Sequence, residues 1–548
     1  MNRWLRLAVW LAATAGWVAV YFAADHLFSW VEPNYQVAPD ALTVGLTLVW
    51  FGAALLFRAR WGAWAAALFF ATAQWAQFLH YRYFGAPIAP HEPPLLFSEW
   101  REIIGAFAGV SHFFGSALLL PIVPLVAFAV AYSTNRRWGW QARGWPLLLF
   151  LGPLVILPVK AYRSPAISQP FYPRPYSYAL KNSWLVTAYA IGASMAQRGV
   201  AAQPPITNRE PYEVERRHDG VDGVIVLVMG ESTNPAMMSL FGGSEPTTPF
   251  LASLRDNPDA IVTVGRSAGV ATKVTLPMFF NVLREPWRQD MVMSGKSALI
   301  TLAKANGYRV VVESAQTSNL FTYTRAELAD LFCTVDRCGA KSDGDGVDRL
   351  LLERIAQEPL TQKTLLVLHT RVAHSMYDQF TPRNWRPFSV DEGSFEGKMK
   401  STYRNAIAWF DEVVRQIVSA VLAKSSRPVW VIITGDHNEL LGEGGRWGHG
   451  QLAEQAGLVP VVVLTANGAK LPDGWRERLR CAPSHYELGQ LVAELLGWLV
   501  RSPEEDLNVL FTNGPDLNGR AGWLRYDRVW EAKGCQLREE LVQGSAKG

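Results

Sequence analysis

The stretch "VIITGDHNELLGEGGRWGHG", residues 431–450, sets Asp436 beside His437 after a short apolar run, with Glu439 and His449 further along. A carboxylate and an imidazole at one chain reversal supply the oxygen and nitrogen donors that suit Zn2+ and, less well, Mn2+. A helix-capping Asp with stray histidines is the competing reading. Glu231, in "GES" at 230–232, also directly follows an apolar run and offers a second carboxylate. Alone, it reads as an ordinary solvated loop acid. In "SAGVATKVTLPMFFNVL" (267–283), small residues lead into an apolar helical pattern. A Thr at such a helix start is either an N-cap or a nucleophile, because the helix N-terminus holds an anion where a hydroxyl can attack it. A Thr hydroxyl is a weak nucleophile unless its pKa is lowered, which metal coordination achieves. Spacing alone leaves Thr263, Thr272 and Thr275 as alternatives.

The elements that must position these groups come next. From residue 221 on, "GVIVLVM" (223–229), "YRVVV" (308–312), "TLLVLH" (364–369), "PVWVII" (428–433) and "VPVVVL" (459–464) read as buried strands. They alternate with helical patterns, of which 400–424 is amphipathic. This alternation predicts an α/β domain with a largely parallel sheet. Sites in such sheets gather beyond the carboxyl ends of strands. That rule selects Glu231, the His369 and His374 region, and Asp436-His437.

Residues 1–161 are apolar runs broken by short Arg-bearing or Pro-bearing stretches. Five spans are expected, at about 7–24, 41–57, 61–79, 116–133 and 146–161, of a length suited to a ~30 Å hydrocarbon core. Buried core helices are the bland alternative. Arg3 and Arg6, Arg58 and Arg60, and Arg136, Arg137 and Arg143 fall before or between spans on one side, whereas the 25–40 loop has neither Lys nor Arg. The positive-inside rule puts the N-terminus in the cytoplasm and everything after Lys160 outside. The resulting layout is a transmembrane domain over 1–161, a linker with a membrane-surface helix over 162–215 and a catalytic domain over 216–548. Cys333 and Cys338 are spaced to close a small loop, and an exterior, oxidising location favours a bridge between them. A net charge of +4 on 548 residues excludes an electrostatic argument for nucleic acid.

"GES" after a strand, "MSLFGGSEPTTPFL" (238–251), "ATKVTLP" (271–277), "LHTRVAH" (368–374) and "DHNELLGEGGRWGHG" (436–450) together resemble the phosphoethanolamine transferases. These are inner-membrane members of the alkaline phosphatase/sulfatase superfamily. The resemblance covers most of 220–500, and the five-span start fits it. It implies an α-helical five-span membrane domain followed by a soluble α/β alkaline phosphatase/sulfatase-like periplasmic domain. It also implies one or two Zn2+ ions held by Glu231, Thr272, Asp436 and His437, with Thr272 doubling as nucleophile. His374 and His449 match histidines that contact the phosphoryl group or a second zinc, and Glu439 matches an acidic residue near the substrate. Cys333 and Cys338 match a disulfide. "SEWRE" resembles a T-D-x-x-E pattern, which places Glu102 near the lipid amine. The chain departs from the family pattern at "GGSE" (242–245), at "DHNE" (436–439), and at Ala268 and Met278, where lipid A enzymes often carry cysteines. None of these departures removes a ligand; they leave the acceptor open.

The implied reaction moves phosphoethanolamine from phosphatidylethanolamine, through a phospho-threonine, to lipid A, core lipopolysaccharide or another envelope glycan. The implied protein is a multi-pass bacterial inner-membrane monomer with a periplasmic catalytic domain. A phosphoglycerol transferase using phosphatidylglycerol is the alternative. A sulfatase proper fits less well, since "TKVTLPM" lacks the Arg of C/S-x-P-x-R. A non-catalytic membrane scaffold predicts a degraded constellation, and every candidate contact is present.

Overall fold

A computed structural model describes residues 2–32, 40–85, 114–142, 177–199 and 209–542, apart from short gaps at 339–345, 454, 516, 518–521 and 532–533, together with scattered positions elsewhere before 160. The chain divides into two compact units, Met1–Gln203 and Pro204–Gly548. Glu102 and most of the expected span at 146–161 lie outside the described residues.

In the first unit, α1 (Arg3–Val31), α2 (Ala41–Leu56), α3 (Arg60–Phe84) and α4 (Ile122–Trp138) match four of the expected apolar runs. Among the described residues, two helical segments, Arg3–Val31 and Gly115–Trp138, are long and apolar enough to cross a membrane, and α2 is a shorter apolar helix. Trp4 and Trp30 stand exposed at the two ends of α1. Helical rise separates them by about 39 Å, close to the ~40–45 Å of a bilayer with its interfaces, where exposed indoles settle. The buried face of α1 is aromatic: Trp17 stacks on Phe51 at 3.8 Å and lies 4.8 Å from Phe128. A fifth helix, α5 (Ala179–Gly199), overlaps the surface helix expected near 176–197. It packs against α3, and its first backbone N–H donates to buried Asp25 of α1 at 2.9 Å.

The second unit is built on seven strands: β1 (Val224–Gly230), β2 (Ala260–Arg266), β3 (Arg309–Ser314), β4 (Leu331–Cys333), β5 (Thr364–His369), β6 (Val429–Gly435) and β7 (Leu458–Ala466). Their order in the sheet is β2-β7-β6-β1-β5-β3-β4. The strands from β6 to β4 are mutually parallel, and β7 runs against both neighbours. Every residue of β1 and β6 is buried, which accounts for their unbroken apolar sequence.

Helix α6 (Thr272–Phe280) opens at Thr272. Helix α7 (Phe395–Lys424) begins at an Ser394 cap and buries Tyr403, Ile407, Phe410, Val414, Ile417 and Val421. That spacing of four and three forms one continuous stripe against the sheet. Helix α8 (His485–Leu495) starts at a capping box between Ser484 and Glu487. A separate three-stranded antiparallel sheet spans Val509–Asn513, Trp523–Glu531 and Gly534–Val542. The expected Cys333–Cys338 disulfide is present.

Candidate metal and nucleophile site

Neighbouring parallel strands bring the two acidic segments together. Gly230 at the end of β1 pairs with Gly435 at the end of β6, so Glu231 and Asp436 leave the sheet side by side. A Cβ on Gly435 would lie 1.9 Å from the Thr233 hydroxyl, so only glycine lets the chain after β1 fold back this closely. Ser232 takes a left-handed φ of 51°, and its backbone N–H donates to Asp436 Oδ1 at 2.9 Å. Tyr403 of α7 fixes this turn: its hydroxyl donates to the Ser232 carbonyl at 2.6 Å and accepts from the Asn234 N–H at 2.7 Å.

Glu231, Asp436 and His437 are fully buried, and each turns a ligand atom inward, all within 4.8 Å of one another. Thr272 Oγ1 lies 2.8 Å from Asp436 Oδ2, 3.1 Å from His437 Nε2 and 3.3 Å from Glu231 Oε2. Of the three threonines that spacing left open, Thr272 alone meets the cluster. Thr275 donates to the Gly269 carbonyl, and Thr263 lies within β2.

The electrostatics are those of a cation site. His437 Nδ1 lies 3.0 Å from the Asn438 carbonyl, to which only an N–H can be directed, so Nε2 keeps its lone pair towards the centre. Burial, reinforced by charge on His449, lowers the His437 pKa to about 3, so the ring is neutral. Burial and the neighbouring Glu231 push Asp436 well up, whereas the surrounding imidazoles hold Glu231 low against its own burial. Two buried carboxylates, a neutral imidazole nitrogen and a hydroxyl thus converge with more acceptors than donors. A divalent cation of the Zn2+ type fits that donor set.

Beyond the cluster the imidazoles continue. The His449 ring lies 4.5 Å from that of His437 and 5.7 Å from that of His374. His449 Nδ1 is 2.9 Å from Glu439 Oε2, and the other Glu439 oxygen accepts from the Tyr377 hydroxyl at 2.7 Å. Burial works against a charge on His449, but the Glu439 carboxylate outweighs it and raises the pKa to about 9. Glu439 itself is fully buried with both oxygens engaged, so in this structure it holds His449. His374 is half-buried, with Nδ1 directed to the Ser375 carbonyl at 2.6 Å.

One supporting residue, Gln316, escaped the sequence reading. Gln316 Nε2 donates to Glu231 Oε2 at 2.5 Å and to the Thr370 carbonyl at 3.0 Å. His369, buried at the end of β5, sits 3.3 Å from that same amide. Gln316 lies just beyond β3, so the rule that selected Glu231 would have found it if applied to "YRVVVESAQ". His485 opens α8; it is buried, accepts from the Ala268 N–H at 3.2 Å and faces Thr434.

A parallel sheet with this acid, imidazole and Thr cluster at its strand ends defines a class. The sulfatase family model matches residues 224–499, and the chain belongs to that family. Within the curated proteins it is similar to the Kdo(2)-lipid A phosphoethanolamine 7''-transferase of Salmonella typhimurium. The two are 24% identical over 378 residues, 63% of each chain. It is 28% identical over 236 residues to phosphoethanolamine transferase EptA of Helicobacter pylori, covering 41% of this chain and 44% of that one. The matches thus span less than two thirds of those relatives' length. The solved integral membrane protein lipooligosaccharide phosphoethanolamine transferase A of Neisseria meningitidis shares the fold. Its TM-score is 0.56 at 15% identity, over 89% of this chain and 95% of that one.

Proposed function

We propose that this protein is a zinc-dependent membrane phosphoethanolamine transferase. It moves phosphoethanolamine from phosphatidylethanolamine to a lipopolysaccharide, on lipid A or core, or to another envelope glycan. The observation that carries the reading is the Thr272 hydroxyl, at a helix start and within 3.3 Å of Glu231, Asp436 and His437. The named relatives support the donor group and the acceptor class. The five-span, N-in layout with a periplasmic catalytic domain belongs to this proposal, as does a monomeric state.

Glu231, Thr272, Asp436 and His437 would hold the metal, which when bound supplies a Lewis acid that stabilises phosphoryl charge and lowers the hydroxyl pKa. Thr272 Oγ1 attacks the phosphorus of the donor, a Thr272 Oγ–P bond forms, and the P–O bond to diacylglycerol breaks. Asp436 Oδ2, 2.8 Å away, is placed to accept the hydroxyl proton. His449, held protonated by Glu439, directs Nε2 outward and is suited to give a proton to the departing diacylglycerol oxygen. An acceptor hydroxyl then attacks the same phosphorus and gives its proton to His449, or an acceptor phosphate attacks as the anion and His449 is reprotonated from water; the Thr272 Oγ–P bond breaks and Thr272 takes back the proton held on Asp436. His374, beside His449, is suited to hold a phosphoryl oxygen. Glu102 is proposed near the lipid amine.

The test uses the full chain with phosphatidylethanolamine vesicles. Diacylglycerol release and a phosphoethanolamine adduct on Thr272, read by peptide mass spectrometry, are expected. Undiminished release by Thr272→Ala would sink the mechanism. A phosphoglycerol adduct, formed with phosphatidylglycerol and not with phosphatidylethanolamine, would replace the donor.

A further inference from the structure

Within the first unit, α2 and α5 enclose an apolar groove of about 190 Å3. Leu42, Leu46 and Trp50 line it from α2, and Leu180, Trp184 and Leu185 from α5. Nothing in the catalytic reading uses it. Two observations indicate its occupant.

The first is length. Leu42 to Trp50 is eight residues, about 12 Å of helix, close to the depth of one leaflet of a ~30 Å core. The second is the end of the groove at the start of α2. There Lys181 pairs with Asp40, and both side chains stay partly open, at 22% and 28% exposure. One cation and one anion, each accessible, match a zwitterion presented the other way round. The Trp50 and Trp184 rings both line the groove and lie 4.7 Å apart.

We propose that this groove binds a diacyl phospholipid with an ethanolamine headgroup. An acyl chain lies between α2 and α5, the phosphate rests on Lys181 and the ammonium on Asp40. The proposal deepens the transferase reading and rests on it for calling this lipid the donor. Headgroup selection follows from charge. Phosphatidylglycerol lacks the ammonium and sets its phosphate against Asp40. The quaternary ammonium of phosphatidylcholine has no N–H to donate to that carboxylate.

The experiment places the full-length protein in nanodiscs with a phosphatidylethanolamine carrying a diazirine in mid-chain. Peptide mass spectrometry then maps the label. Label concentrated within 42–50 and 180–185 is expected, with unlabelled phosphatidylethanolamine competing at least tenfold better than phosphatidylglycerol or phosphatidylcholine. Thr47→Trp, which fills the groove from its α2 wall, should cut labelling at least fivefold. Asp40→Asn keeps the helix cap and should level the competition among headgroups. Label spread evenly over the exposed faces of α1 and α4, or equal competition by phosphatidylglycerol in the unmutated protein, overturns the proposal. Thr272→Ala separates the two readings. It should label normally and lose diacylglycerol release; if release persists while the groove labels, the nucleophile assignment falls and the groove stands.

Discussion

The two units bury carboxylates in opposite ways. In the first, Asp25 of α1 is fully buried and surrounded by donors. Its oxygens accept from the Tyr35 hydroxyl at 2.7 Å, the Gln74 amide at 2.6 Å and the Ala179 N–H at 2.9 Å. In the second, Glu231 and Asp436 are buried beside each other and beside an imidazole lone pair, with ligand atoms of all three residues within 4.8 Å of one another. The first arrangement is complete as it stands and ties the start of α5 to α1. The second has the donor set of a metal site. A buried anion satisfied by donors is architecture, whereas buried anions that converge on a common point mark a metal site. Glu313 of β3 shows a third way: it is fully buried, neither oxygen has a hydrogen-bond partner, and burial raises its pKa to about 8. It is met by a proton.

The comparison can be broken by substitution. The largest effect belongs to the proposed nucleophile. Thr272→Ala should lower diacylglycerol release by about a thousandfold or more while leaving the fold intact, as circular dichroism would show. Metal dependence comes next. Zn2+ at a hundredfold excess over its Kd should stabilise the wild type by ~2.7 kcal/mol in thermal unfolding. Asp436→Asn and His437→Ala should lose most of that gain, whereas Asp25→Asn should keep it. A zinc response lost equally in Asp25→Asn would erase the distinction between the two sites.

Asp25→Asn should itself cost about 1–3 kcal/mol, because one of the donors facing it is left unmatched. Backbone exchange at Ala179 would report the loosening. A pH-dependent effect belongs to Glu313. Its folded pKa lies above the unfolded value, so the folded state holds a proton that the unfolded state releases near 4.5. Stability should therefore fall as pH rises from about 4.5 to about 8 and level off above that. Glu313→Gln should flatten that slope, seen as a Tm difference between mutant and wild type that widens from pH 5 to pH 8.

Much of the second unit was legible locally. Continuous β-branched runs announced β1, β3, β5, β6 and β7, because strands covered on both faces need apolar residues throughout. The amphipathic 400–424 pattern announced most of α7, which begins somewhat earlier at Phe395. Glu231 and Asp436-His437 were visible because a residue's place just past a strand is a local property. Recognition of Thr272, by contrast, needed the family resemblance, since three threonines shared the same short-range cues.

What the sequence determined by itself is therefore which segments become strands, which residues stand at their ends, and which runs are apolar enough for a bilayer. These follow from side-chain periodicity and burial, and neighbours along the chain decide them. What only the tertiary structure decided is who meets whom. The parallel pairing of β1 with β6 juxtaposes Glu231 and Asp436, 205 positions apart in the chain, and so assembles the candidate metal site. The same packing brings Gln316 to Glu231 and Glu439 to His449. In the first unit, it brings Ala179 to Asp25 across 154 residues. Strand order and helix docking depend on many weak contacts summed over the whole core, and no window of sequence contains that sum.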